Sequence, residues 1–131
     1  MTTAKGTIKH NNWDEQPYHD SKVQKGTIAR IDIVFSGDLT GDARTAYAMA
    51  YNEGGATCHY AGHLLFEGKL GAKSGSFTIF EQGVYEGGTA TSSWDIVAGS
   101  GTGDFAGIIG SGSYAATHDN TVHYTLNCNL K

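Results

Sequence analysis

Charge, proline and cysteine are all scarce in this chain. Charged residues make up 17% of 131, and Pro17 is the single proline. Beside nineteen glycines, that composition suits neither disordered tails nor long helices. Nine basic against thirteen acidic side chains leave a formal charge of −4 with the six histidines neutral. Lys and Arg nowhere cluster, which excludes a basic face for nucleic acid. No window of 18 apolar residues occurs, and the opening Met1-Thr2-Thr3-Ala4-Lys5-Gly6 has no apolar stretch behind its lysine. Neither a membrane span nor a secretory signal is expected, and the protein reads as soluble and cytoplasmic. Cys58 and Cys128 lack C-x-x-C spacing, so they read as reduced, buried thiols rather than a disulfide. At this length a core is built once, so residues 1–131 read as one domain.

What is abundant is glycine, recurring every ten or so residues between segments rich in Thr, Tyr, Val, Ile and Phe. That punctuation predicts short strands joined by tight turns. Strands are expected near 4–13, 24–36, 43–52, 56–68, 74–85, 88–98, 110–117 and 121–130. Glu53-Gly54-Gly55, Leu70-Gly71-Ala72, Glu86-Gly87-Gly88 and Asp119-Asn120 supply the hairpin turns. Eight antiparallel strands of this length do best by closing, because closure removes both edges. The expected fold is all-β, an eight-stranded closed antiparallel β-barrel of mostly meander topology. Residues 43–52 are Ala-rich, yet Tyr47, Met49 and Tyr51 alternate with Ala46, Ala48 and Ala50, which predicts strand rather than helix. Which of those faces points inward is left open by the Glu53-Gly54-Gly55 turn. Asp14 to Lys22 reads as a connection outside the sheet. Ser100 to Gly107 reads as a flexible loop with room for one helical turn, and it lacks the Lys-Ser/Thr ending of a phosphate loop.

Opposite residues of an antiparallel hairpin keep a constant sum of their numbers, so each turn dictates a pairing. Centring one turn on Gly71-Ala72 puts His63 nearly opposite Glu81. A tight Glu86-Gly87 turn puts Glu81 opposite Ser92, and Ile79 opposite Trp94. One face would then carry His59, His63, Leu65, Phe77, Ile79, Glu81, Ser92 and Trp94, a largely apolar wall with one acid and two imidazoles. That face reads as the lining of a cavity for a small apolar ligand. The other face would show Tyr60, Leu64, Phe66, Phe80 and Val84, which suggests a homodimer through the outer wall. A carboxylate beside an imidazole fixes its tautomer and stabilises its cation, so His63 and Glu81 form a candidate proton-transfer dyad, with Tyr47, Tyr60 or Trp94 as donors or stacking surfaces. The bland alternative is a cross-strand pair that merely satisfies itself.

Metal binding is not expected, and no cofactor is implied. His59 and His63 on one strand lie about 13 Å apart, too far to share a zinc. His118 and His123 flank the last hairpin and are the closest thing to a second pair, while His10 and His19 have no evident partners. Three functions stay open: a small-molecule binding module, an isomerase, cyclase or lyase using the dyad, and a scaffold whose interior is filled by its own side chains.

The residues also match a family. Gly6-Thr7, Trp13-Asp14-Glu15 with Pro17-Tyr18, Phe35-Ser36-Gly37-Asp38-Leu39 with Gly41, Gly62 to Gly68, Gly75-Ser76-Phe77, Gly88-Thr89-Ala90-Thr91 and Gly99-Ser100-Gly101-Thr102-Gly103 resemble a bacterial family of unknown function. The resemblance spans nearly the whole chain. It implies a barrel similar to that of plant allene oxide cyclase, and dimerisation, but no settled activity. The family pattern carries Glu where this chain has His63 and His where it has Glu81, an apparent exchange that would place the two positions in contact.

Overall fold

The computed structural model describes residues 2–52, 54–116 and 121–130. Among the described residues nine strands form: β1 (Thr2–Asp20), β2 (Lys25–Gly37), β3 (Leu39–Tyr51), β4 (Thr57–Leu70), β5 (Lys73–Glu86), β6 (Thr89–Ile96), β7 (Thr102–Gly103), β8 (Ile109–Ala116) and β9 (Val122–Asn129). All pairings are antiparallel. Eight strands close a ring in the order β1-β2-β3-β4-β5-β6-β8-β9, with β9 returning to β1. The two-residue β7 lies outside the ring and pairs with β5 at Gly75 and Ser76. Closure leaves no free edge around most of the ring, as the strand count suggested.

Residues 43–51 belong to a strand despite their alanines. Tyr47 and Met49 turn inward and Ala46, Ala48 and Ala50 outward, which settles the face left open by sequence. Burying two large side chains outweighs the helix propensity of three exposed alanines. The segment expected to leave the sheet stays in it. β1 runs on through Asp14, Glu15 and Pro17 to Asp20, paired with β2 after a bulge between Asn11 and Asp14. Asn12, with φ of 55°, makes that bulge, because Asn tolerates the left-handed region better than most residues. Beyond Ile8 this strand no longer pairs with β9. Its free edge is where Pro17, lacking an N–H, is tolerated.

The hairpins correct the expected faces. β4 and β5 turn through Gly71-Ala72 with Leu70 opposite Lys73, so His63 pairs with Phe80, and Gly62 with Glu81. A slip of one residue flips every side chain of a strand. Tyr60, Leu64 and Phe66 are therefore buried inside, and His59, His63 and Leu65 point outward, with Leu65 57% exposed. The outer wall offered for a dimer thus loses Tyr60, Leu64 and Phe66, keeping only Phe80 and Val84, both half-buried. β5 and β6 turn through Gly87-Gly88 rather than Glu86-Gly87, both in the left-handed region. That displaces the register by two, so Ile79 faces Ile96 and Glu81 faces Trp94, while Ser92 faces Gly83. A shift of two preserves the face, and Phe77, Ile79, Glu81, Ser92 and Trp94 are all buried as expected.

One end of the ring is filled by aromatic side chains. Phe35 packs on Phe66, Trp94 and Tyr124 with ring centres 4.9, 5.9 and 5.5 Å away, and Phe66 on Phe77 at 5.0 Å. The segment between β6 and β8, expected as a flexible loop, drives Phe105 edge-on against Phe77 at 5.2 Å. It is pinned by Asp104, which accepts the Ser74 N–H, and by Ser100, which donates to the Val97 carbonyl. It forms β7 and a run of turns rather than a helical turn. Cys58 and Cys128 are buried and unbonded, as the spacing implied. The Asp119-Asn120 turn and His118 lie outside the described residues.

Removing Phe35 leaves a hole among three rings, so Phe35→Ala should cost about 3–5 kcal/mol in urea unfolding. Leu65→Ala, at a position that sequence assigned to the interior, should change stability by under about 0.5 kcal/mol. Similar losses in the two variants would contradict the register.

Candidate functional site

The interior holds one fully buried charged side chain among the described residues, Glu81 on β5. Three hydroxyls converge on it. Tyr47 of β3 donates to Oε1 at 2.7 Å, and Ser92 of β6 and Tyr114 of β8 donate to Oε2 at 2.7 and 2.6 Å. Tyr60 of β4 completes the set through its 2.5 Å hydrogen bond with Ser92 Oγ. Since the only Ser92 hydroxyl proton points at Glu81, Tyr60 is the donor in that contact. Four strands thus direct hydroxyls toward one carboxylate, and none brings a cation to it. Trp94 Nε1, on the neighbouring strand, is buried without a hydrogen-bond partner among the described residues.

Two glycines make this convergence possible. A Cβ at Gly62 would lie 3.0 Å from the Tyr47 ring, and one at Gly83 would lie 2.6 Å from the Tyr60 hydroxyl. Both glycines face the interior beside the residues they accommodate, so each ring lies flat over its neighbour's backbone and reaches inward.

Above the tyrosines the ring opens into a cavity of about 360 Å³. His10 and Trp13 of β1 and Tyr47, Tyr51, Tyr60, Tyr85 and Tyr114 ring it, and Met49, Cys58, Ala90, Ala116 and Val122 fill the gaps between them. Burial, followed by the charge of Glu81, pushes the Tyr47 and Tyr114 phenols well above their ordinary range, so both stay protonated. Burial also raises Tyr60. His10 is shifted down by burial, with the Glu81 charge opposing, which keeps its ring neutral near pH 7.

Glu15 guards the rim. Its carboxylate accepts hydrogen bonds from Tyr51 at 2.6 Å, Thr27 at 2.7 Å and Trp13 Nε1 at 3.0 Å, tying the far half of β1 to β2 and β3. Burial acts to raise its pKa, but these bonds and the charge of Lys25 together outweigh it and the net shift is downward.

Of the residues sequence proposed for the site, Glu81, Tyr47, Ser92, Trp94, Phe77 and Ile79 lie inside. Glu81, Tyr47 and Ser92 are brought into contact, whereas Phe77 and Ile79 belong to the packed core. His63, His59 and Leu65 are on the outer surface, so the His63–Glu81 dyad does not form and the exchange with the family pattern does not reflect a contact. His63 instead packs on Phe80 at 5.3 Å. Sequence reasoning missed Tyr114, His10 and Glu15. Tyr114 is legible as an inward position once β8 is paired with β9, and His10 by its alternation with the buried Ala4 and Ile8, but the bulge at Asn12 hides the facing of Glu15. Among the described residues no group of three His, Cys, Asp or Glu side chains is placed to hold a metal.

A ring of antiparallel strands with a buried acid below an open-ended aromatic cavity defines a small all-β protein with an internal cavity. The chain belongs to the DUF3224 family, proteins of unknown function, whose model matches residues 4–128. It is similar to the crystal structure of a DUF3224 protein of unknown function from Shewanella oneidensis MR-1, with a TM-score of 0.77 and 19% identity over 99% of this chain and 98% of that one. No curated protein matches.

Tyr114→Phe removes a donor from a buried carboxylate and should cost about 2 kcal/mol, whereas His63→Ala should fall within about 0.5 kcal/mol of the parent. Equal effects would place Glu81 elsewhere. For Glu15, a folded-state pKa below the usual 4.5 means that its stabilisation is full above that value and fades as pH falls through the lower, folded one. The stability gap between the parent and Glu15→Gln should therefore be flat above pH 4.5 and narrow below it. A gap that widens on acidification would contradict the assignment.

Proposed function

We propose that the protein binds a small, largely apolar molecule in the open end of its strand ring. The observation that carries this reading is the cavity itself, about 360 Å³ lined mainly by aromatic rings above a few convergent hydroxyls. Such a site combines contact area with a small number of orienting polar groups. The side chains that orient the ligand are Tyr47, Tyr60 and Tyr114, with Glu81 behind them. They replace the imidazole-based site expected from sequence. The likeness to the allene oxide cyclase barrel, which rests on the sequence resemblance, belongs to the same proposal and is an analogy of architecture alone.

Turnover is the second reading, and one feature favours it. The chain Tyr60–Ser92–Glu81 links the cavity to a carboxylate able to take up a proton. Activity on an enolisable substrate that disappears in Ser92→Ala while binding persists would support catalysis over simple retention.

The test of binding uses 2-naphthol, a flat neutral probe that fits the volume. One-to-one binding, read by its fluorescence, should vanish in Ala116→Trp, where the indole fills the cavity, while the β-sheet signal in circular dichroism is kept. No saturable binding to the parent, or binding indifferent to the substitution, would overturn the proposal.

A further inference from the structure

The hydroxyls around Glu81 can be counted, and they point one way. Tyr47 and Tyr114 spend their hydroxyl protons on Glu81, and Tyr60 spends its proton on Ser92, which spends its own on Glu81. A phenol whose proton is committed offers a ligand only oxygen lone pairs. At the rim the pattern repeats, because Tyr51 and Trp13 both donate to the Glu15 carboxylate. The wall formed by Tyr47, Tyr60 and Tyr114 therefore presents acceptors with an acid behind it, and the donors left on the lining are those of His10 and Tyr85.

The charge is equally one-sided. Glu81 is wholly buried, and each of its three hydrogen bonds comes from a neutral hydroxyl. Among the described residues no Lys or Arg lines the cavity. Lys25 sits 5.5 Å from the centre of the Tyr51 ring but borders the neighbouring surface groove instead. Hydroxyl dipoles spread a buried negative charge without cancelling it, and the low-dielectric surroundings let its field reach the cavity. The aromatic faces of Tyr47, Tyr60 and Tyr114 add their own negative potential at the same place.

On the reading that this cavity binds a small molecule, we propose that its ligand is a lipophilic organic cation, an amine or ammonium compound whose charged nitrogen sits over the tyrosines toward Glu81 and whose apolar part fills the mouth. The cation supplies the positive charge that the protein leaves out. Neutral apolar compounds gain the contact area alone, and anions meet both an acid and a wall of lone pairs.

The experiment compares benzyltrimethylammonium with its neutral carbon isostere, neopentylbenzene, and with 4-tert-butylbenzoate, each titrated into the full chain and followed by NMR shifts. The ammonium should bind about tenfold tighter than the isostere, and the benzoate weakest. Glu81→Gln, which keeps an acceptor but removes the charge, should bring ammonium and isostere within about twofold of each other. Ala116→Lys places an ammonium at the half-buried cavity wall and should abolish the same preference, so the proposal stays testable if Glu81→Gln fails to fold. An isostere or benzoate that binds the parent as tightly as the ammonium overturns the cation proposal and leaves the cavity reading standing. Failure of all three probes, together with failure of 2-naphthol, overturns both.

Discussion

The structure depends on a carboxylate, Glu81, that is held out of water with no counter-ion among the described residues. Isolated charge in a protein interior costs several kcal/mol, and the usual remedy is a buried Arg or Lys. Here the remedy is three hydroxyls from three strands, each a charge-assisted donor to Glu81. Because those strands are not all adjacent in the ring, the contact works as a set of spokes. It fixes the width of the ring at that level and the rotamers of two tyrosines at once.

Room for the spokes comes from the backbone. Gly62 and Gly83 lie beneath the Tyr47 and Tyr60 rings, so both side chains can lie across the interior without meeting a Cβ. Toward the other end Phe35, Phe66, Phe77, Trp94 and Tyr124 meet ring to ring and Phe105 closes the gap. Small and large residues thus divide the interior in two. The packed end supplies stability, and the tyrosine end leaves space over a charged floor. That division is what leaves a cavity in an otherwise filled interior.

Much of this is legible in the amino-acid pattern. Strand count, antiparallel meander and the inward facing of Phe77, Ile79, Glu81, Ser92 and Trp94 follow from glycine punctuation and period-two alternation. The two glycine turns behave differently because parity, not distance, decides a face. A two-residue error at Gly87-Gly88 is harmless, whereas a one-residue error at Gly71-Ala72 moves His63 from the centre of the site to the surface. Apolar content cannot correct it, since β4 is mixed on both faces, with Leu64 inside and Leu65 outside. The bulge at Asn12 is equally invisible. An Asn in the left-handed region leaves no pattern in the neighbouring residues, and it governs where Trp13 and Glu15 stand.

The central claim is that Glu81 carries its charge inside the ring, satisfied by hydroxyls alone. An infrared difference spectrum between the parent and Glu81→Gln at neutral pH tests it most directly. Loss of a carboxylate stretching band is the expected result. Loss of a carboxylic-acid carbonyl band in its place would contradict it, because a neutral acid needs neither three donors nor a cation above them.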